Sequence, residues 1–392
     1  MTTSSAPAVP ADLFARAKPA RVGCALLFMI QGLVSGGWVP HIPLAKAEIG
    51  VGTGVFGWIL LAAAGGAVAA MPVAGALINR FGSAAVNRVA GVFFCLSFLL
   101  PILAATPITL AIGLALFGAG IGVFDVAMNA HGIAVEREAR RAIMSSFHGW
   151  YSVGAAAGAG LGSVAVALVG ETAHALATAA GTLGLLAYAA PRLLPAAADR
   201  GLSGSHFGWP TRATVGLGAL CFLALMIEGA MLDWTAIHLS TNLGASVALA
   251  GWGFAAFQTG MAVTRFLGDG LRMRFGSVRL VGVSASGLSI SLAAAIALPW
   301  PAVAVLAFGV AGLAIGNLAP VLFAGGARLE PDAPGRGIAA VTTMGYTGFL
   351  VGPPTIGMLA EATGLRLALG VTVLGAVVIA LGAKAAKASD SF

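Results

Sequence analysis

"RFGS" occupies Arg80–Ser83, and the same four residues return at Arg274–Ser277. The offset is 194 residues (274 − 80). It also carries Gly57-Trp58 to Gly251-Trp252 and Gly66 to Gly260. Gly118 and Gly122 map in the same way onto Gly312 and Gly316, and Gly154 and Gly158 onto Gly348 and Gly352. A register kept over so much of the chain marks two halves built alike and running in the same direction, the arrangement of transporters whose repeats are related by an axis along the membrane normal.

The composition supplies the solvent. Hydrophobic residues make up 59% of the 392 and charged residues 9%, against about 45–50% and about 25% in soluble domains. So few charges cannot clothe a water-facing surface, so lipid must solvate much of it. Apolar runs give approximate spans at 20–43, 52–78, 84–105, 107–134, 143–169 and 172–190. The second set lies at 213–239, 247–268, 278–299, 302–325, 337–360 and 363–383. The expected fold is an all-α membrane protein with twelve transmembrane helices in two six-helix pseudo-repeats. A mobile N-terminus (1–19), a bundle (20–190), a linker (191–212), a second bundle (213–383) and a C-terminal tail (384–392) divide the chain.

With twelve spans, the loops on one side hold nearly all the Lys and Arg, among them Arg80, Arg88, Arg137, Arg140 and Arg141, then Arg272, Arg274, Arg279, Arg328 and Arg336. The other side holds only Lys46 and Arg366. The positive-inside rule then places both termini in the cytoplasm. It also explains the net charge of +7 without nucleic acid. Cys24, Cys95 and Cys221 lie inside apolar runs and read as packing residues. No grouping has metal-ligand spacing or a nucleophile with a base, so no cofactor and no enzyme are expected. The glycine strings "GAGIGV" and "GAGLGS" follow no strand; their four-residue spacing suits close helix packing.

The loop between the second and third spans reads "GALINRFGS", with Gly75, Leu77, Arg80 and Gly82 in the places of the motif Gly-x-Leu-x-Asp-Arg-x-Gly. On that motif the chain resembles the major facilitator superfamily; Asn79 stands where the family carries Asp. The second copy, "RFLGDGLRMRFGS", sets Asp269 four residues after Arg265, a helical ion-pair spacing. The resemblance implies a cytoplasmic gate formed by Gly75, Asn79, Arg80, Gly82, Arg265, Asp269 and Arg274. "GVFDVAMNA", "SSFHGWYSVG", "MIEGAMLDW", "WVPHIP" and "GYTGFLVGPP" further resemble a bacterial permease branch distantly similar to the fucose–proton symporters. Those symporters carry in helix 4 an acid followed four residues later by Asn, as Asp125 and Asn129 stand here; they also use an acid in helix 1, where this chain has only Gln31.

Carboxylates within lipid are costly, about 2.5–3.5 kcal/mol for a central Asp, and mark cavities or partners. Asp125, Glu228 and Asp233 are three such acids. Asp125 and Glu228, with His148 as a relay, are the candidate proton-coupling groups, the alternative for each being a static packing role. Asn129, Tyr151 and Asp233 are candidate solute contacts, joined by the amides Gln31, Gln258 and Asn317. Tyr346 stands among Thr342, Thr343 and Thr347. Trp38 and Trp234 occupy similar places in "MIQGLVSGGW" and "MIEGAMLDW", either stacking on a solute ring or belonging to the interfacial belt. His131 is expected to snorkel, and Pro353-Pro354 to break or kink span 11. The functional expectation is a monomeric, proton-coupled secondary transporter of a bacterial inner membrane. It moves a small polar organic solute, with sugars among the candidates, by alternating access. The alternative is a proton-antiporting exporter of drugs or metabolites.

Overall fold

Where the sequence repeats a glycine, two helices touch. The computed structural model describes the backbone of residues 11–196 and 208–390, with the side chains of these apart from 11–17 and 268–270. The first half comprises α1 (Ala11–Trp38), α2 (His41–Ile49), α3 (Thr53–Phe81), α4 (Ser83–Ser97), α5 (Leu99–Ile102), α6 (Pro107–Ala139), α7 (Met144–Val169) and α8 (Glu171–Ala189). The second half has α9 (Val215–Ile237), α10 (Val247–Ala250), α11 (Trp252–Phe275), α12 (Ser277–Ala297), α13 (Pro301–Ile315), α14 (Leu318–Leu329), α15 (Pro334–Thr363), α16 (Leu365–Ala368) and α17 (Gly370–Leu381). Among the described residues no strand occurs.

Among the described residues ten helices are long and apolar enough to cross a bilayer, and the bent pair Leu365–Leu381 and Ala383–Ser389 makes eleven if counted as one span. The 30-residue α15 falls short of that apolarity because Thr342, Thr343, Tyr346 and Thr347 sit mid-helix. With it the twelve expected rods are present. Residues 1–10 and 197–207 of the expected terminus and linker lie outside the described residues, and α1 begins at Ala11, ahead of the expected boundary.

The repeat is reproduced contact by contact. α3 packs on α6 and α11 on α13; α1 packs on α7 and α9 on α15. A Cβ at Gly118 would collide with the Ala63 carbonyl oxygen, and one at Gly312 with the Phe257 carbonyl oxygen. Both members of the second pair lie 194 residues after those of the first (312 − 118, 257 − 63). Backbones this close admit only glycine. Gly118→Val and Gly312→Val are each expected to cost about 3 kcal/mol or more and to abolish the monodisperse peak in detergent. Gly181→Val, with nothing within 4 Å of an added Cβ, should leave that peak intact.

α1 and α9 follow a slightly different register. Gly154 meets the Met29 carbonyl oxygen and Gly348 that of Phe222, an offset of 193 (222 − 29). The resemblance between "MIQG" and "MIEG" aligns Gln31 with Glu228 at 197 (228 − 31), one helical turn away. In the packing, Glu228 therefore answers to Ser35, and Trp38 and Trp234 are not counterparts as their motifs suggest.

Span 11 neither breaks nor ends at Pro353-Pro354; α15 runs through both. The break falls in span 10, between α13 and α14 at Gly316-Asn317. Pro320 explains it, since proline offers no N–H to the carbonyl four residues earlier, here that of Gly316. His131 does not snorkel. It is fully buried and joins Ser83 Oγ (2.7 Å) to the backbone N–H of Leu194 (3.2 Å), tying the chain beyond α8 to the start of α4. In the second half the corresponding role passes to the tail. The Asp390 carboxylate accepts from Ser277 N–H at 2.8 and 3.0 Å, while Arg272 and Arg328 both donate to the Ser389 carbonyl. Asp390 is held below the usual carboxylate range, because those hydrogen bonds from the α12 N-terminus outweigh its slight burial.

Candidate functional site

Between the halves lies a cavity of about 490 Å³. α1, α3, α6 and α7 wall it on one side, and α9, α11, the α13–α14 break and α15 on the other. Most of the wall is apolar, from Leu60, Ala63, Ala67, Phe117, Leu225 and Phe349. The polar groups are therefore few and are presented to one another across the space between the bundles.

Two carboxylates line the cavity from opposite halves. Asp125 of α6 accepts a 3.3 Å hydrogen bond from Gln31 Nε2 of α1. Glu228 of α9 lies 3.5 Å from Arg265 of α11. The same guanidinium donates to Ser152 Oγ at 2.7 Å and to the His148 carbonyl at 3.4 Å, so it links α7 to both helices of the other half. The Arg265 and Glu228 side chains are 13% and 19% exposed, enough for cavity water to reach them but not to screen them as at a surface. His148 sets its ring edge-on to Phe28, with centroids 5.1 Å apart.

The sequence candidates separate clearly by place. Gln31, Trp38, Asp125, His148 and Tyr151 line the cavity from the first half. Glu228, Asp233, Asn317 and Tyr346 line it from the second. Asn129, Trp234 and Gln258 do not. Asn129 donates to the backbone oxygen of Asp125 at 2.9 Å, Trp234 is buried edge-on against Phe56, and Gln258 is buried in α11. The interfacial-belt reading fails for both tryptophans, because α1 and α9 face the seam between halves there and not lipid. Gln31 Oε1 and Asn317 Nδ2 are buried with no hydrogen-bond partner, one an acceptor and one a donor, on opposite walls.

Of the residues that the motif implied as a gate, Arg80 lies over the Phe81 ring and Arg274 over Phe275. Gly82 takes a left-handed φ of 80°, and Gly276 in the second copy one of 73°, each at the turn into the next helix. Asn79 ends the same helix as Arg80, and an added Cβ at Gly75 meets nothing within 4 Å. The Asp269 side chain lies outside the described residues. Arg265 turns into the cavity toward Glu228. Its signal was present in the sequence, as a cation falling inside the apolar run 247–268. Ser152 and Ser145 were weaker signals; Ser145 Oγ donates to the Arg265 carbonyl at 2.6 Å.

The end of the cavity nearest Lys46 and Arg366 is closed along both seams. On one seam Ser163 Oγ accepts from Gly251 N–H at 3.0 Å. On the other, Glu361 of α15 accepts from Gly54 N–H at 3.0 Å, in the first turn of α3. A carboxylate at a helix N-terminus is worth about 0.3–1 kcal/mol when exposed. Glu361→Ala is therefore expected to raise the open-to-closed ratio at this end up to about fivefold. Spin labels at Val55 and Thr363 would read it as a longer-distance population in pulsed dipolar spectra.

The second half, residues 217–388, matches the family model described as Major Facilitator Superfamily. An uncharacterized MFS-type transporter of Yersinia pestis is 34% identical over 93% of this chain and 95% of its own. Membrane protein MosC of Rhizobium meliloti is 30% identical over 91% of this chain and 87% of its own. Among solved structures, the nucleoside transporter NupG superposes with a TM-score of 0.71 at 14% identity, covering 95% of this chain and 99% of that one. A point mutant of NupG gives a TM-score of 0.73, covering 94% of this chain and 99% of that one, also at 14% identity.

Proposed function

The chain belongs to the major facilitator superfamily and is a transporter of that type, and from that premise we propose that it couples proton movement to the passage of a small, polar organic solute. The observation that carries this reading is the cavity polar set. Asp125 lines the cavity from one half and the Glu228–Arg265 pair from the other, so that rocking of the halves would change their separation. Arg265 already bridges to Ser152 and His148 of the first half. A change in the relation of the halves must therefore remake these bonds, and with them the hold of Arg265 on Glu228 and the charge that Asp125 faces in the cavity.

Alternating access supplies the motion. The form seen is closed at the end carrying Lys46 and Arg366. Toward the Arg-rich end, Met71, Met128, Met144 and Arg272 continue the cavity wall. With the Arg-rich end in the cytoplasm, this is an inward-facing state of an inner-membrane protein with both termini inside. Gln31, Asn317, Tyr151 and Tyr346 are positioned to bind the solute, and Trp38 to pack against it. NupG is a nucleoside transporter by name, so nucleosides join sugars and polyols among the candidates.

The test is a thermal-shift screen of purified protein against sugars, polyols, nucleosides, organic acids and lipophilic cations at two pH values. A ligand that binds the folded state raises the midpoint by mass action. The reading expects a pH-dependent hit among the polar neutral solutes, weakened in Asp125→Asn. Hits confined to lipophilic cations would overturn it in favour of a proton-antiporting exporter.

A further inference from the structure

Beyond the cavity, three titratable side chains form a connected chain that solute transport, as described, leaves unused. His41 Nδ1 of α2 lies 2.9 Å from Glu171 Oε2 at the start of α8, and His41 Nε2 lies 2.9 Å from His174 Nδ1. His174 Nε2 in turn meets Thr178 Oγ1 at 3.2 Å. His41 is fully buried and His174 6% exposed, whereas the Glu171 side chain is 41% exposed. Glu171 opens onto a groove shared with Leu44, Thr172 and Ser246. On the inner side Trp38, itself part of the cavity wall, stacks on His41 with ring centroids 6.3 Å apart and planes 13° from parallel.

Counting hydrogens fixes what this chain can hold. An ionised carboxylate only accepts, so His41 Nδ1 must carry a hydrogen. In a neutral His41, Nε2 is then an acceptor. It takes a hydrogen bond from His174 Nδ1–H, and His174 Nε2 accepts from the Thr178 hydroxyl. One added proton is accommodated without losing a bond. The hydrogen on His174 Nδ1 passes to His41 Nε2, the incoming proton settles on His174 Nε2, and the Thr178 hydroxyl turns to accept. His41 is then an imidazolium held between Glu171 and His174. A second proton would place hydrogens on both facing nitrogens and break the 2.9 Å contact.

Of the elements packed around the chain, α9, which meets α2, carries Asp233, a neighbour of Trp38 in the cavity wall. Trp38 of α1, Phe98 beside α5 and Gly162 of α7 pack around the two rings and bring no charge. α2 carries Lys46 and Glu48 further along its own length, and α8 supplies Glu171 and His174 themselves. We propose that Glu171, His41 and His174 form a binding site for one proton, set near the face that carries Lys46 and Arg366 and abutting the solute cavity through Trp38. The site is distinct from Asp125 and Glu228, and it does not depend on which solute the cavity accepts.

Solid-state NMR of the full-length protein, labelled with ¹⁵N-histidine in liposomes and titrated from about pH 4 to 9 across the ordinary histidine range, tests it with the proton alone as ligand. The site predicts that one ring becomes doubly protonated while its hydrogen-bonded neighbour stays singly protonated and changes the nitrogen that bears its hydrogen. Glu171→Gln, at an exposed position that the fold tolerates, should weaken this proton's binding about tenfold or more. A pH-dependent quenching of tryptophan emission, lost in Trp38→Phe, would establish the link to the cavity wall. Two rings that stay neutral throughout, rings that both become doubly protonated, or a Glu171→Gln titration identical to wild type would overturn the proposal.

Discussion

Asp125→Asn is expected to abolish uphill accumulation of solute while downhill exchange continues. A gradient of one pH unit is worth about 1.4 kcal/mol and can sustain about a tenfold solute gradient at one proton per solute. In the variant that ratio should fall to about one. The substitution is nearly isosteric and keeps an oxygen to accept from Gln31 Nε2, so the α1–α6 contact persists. What disappears is the ability to take up and release a proton. Folding should be unharmed, since a carboxyl within the membrane carries a desolvation cost that an amide does not. The measurement is paired uptake and counterflow in proteoliposomes. Full accumulation in the variant would make Asp125 a packing residue.

The second large effect concerns Arg265 and Glu228. Arg265→Leu leaves Glu228 in the cavity without its cation and takes a donor from Ser152 and from the His148 carbonyl. Removing one member of a buried pair costs about 3–5 kcal/mol. The partial exposure of both side chains and their 3.5 Å separation point to the lower end of that range. The double variant Arg265→Leu with Glu228→Leu should be more stable than Arg265→Leu alone, because no unpaired charge is left behind. Transport should be lost in all three variants. Thermal midpoints of the two single variants and the double close a mutant cycle; additive losses would mean the two side chains do not interact.

Much of this architecture was legible because it is written in glycine and in charge. Gly118 and Gly312 repeat at one offset since each lies beneath a carbonyl at an equivalent crossing. Arg80 and Arg274 repeat since each lies over the following Phe ring, just before the glycine that turns into the next helix. The acids Asp125 and Glu228 stood out because lipid tolerates few of them. Other features depended on rotation about a helix axis, which a single sequence leaves open. Arg265 and Asp269 have ion-pair spacing on one helix, yet the Arg265 guanidinium also reaches Glu228 on a neighbouring helix of the same half. Trp234 sits near the end of its span as a belt residue would, but its helix faces the other half of the protein. The one-turn slip between α1 and α9 misled the comparison of Trp38 with Trp234, since the similar tetrapeptides "MIQG" and "MIEG" do not stand at the packing register. His41 and His174, 133 residues apart, carry no local pattern to announce their meeting.

The central claim is that solute and proton cross together. Its most direct test is to reconstitute the wild-type protein in proteoliposomes without a pH gradient. A solute found by thermal shift is then added outside, and the external pH is followed with an electrode. The account predicts a transient alkalinisation as solute and protons enter together, absent in Asp125→Asn. Solute entry with no pH change, or an acidification, would contradict it.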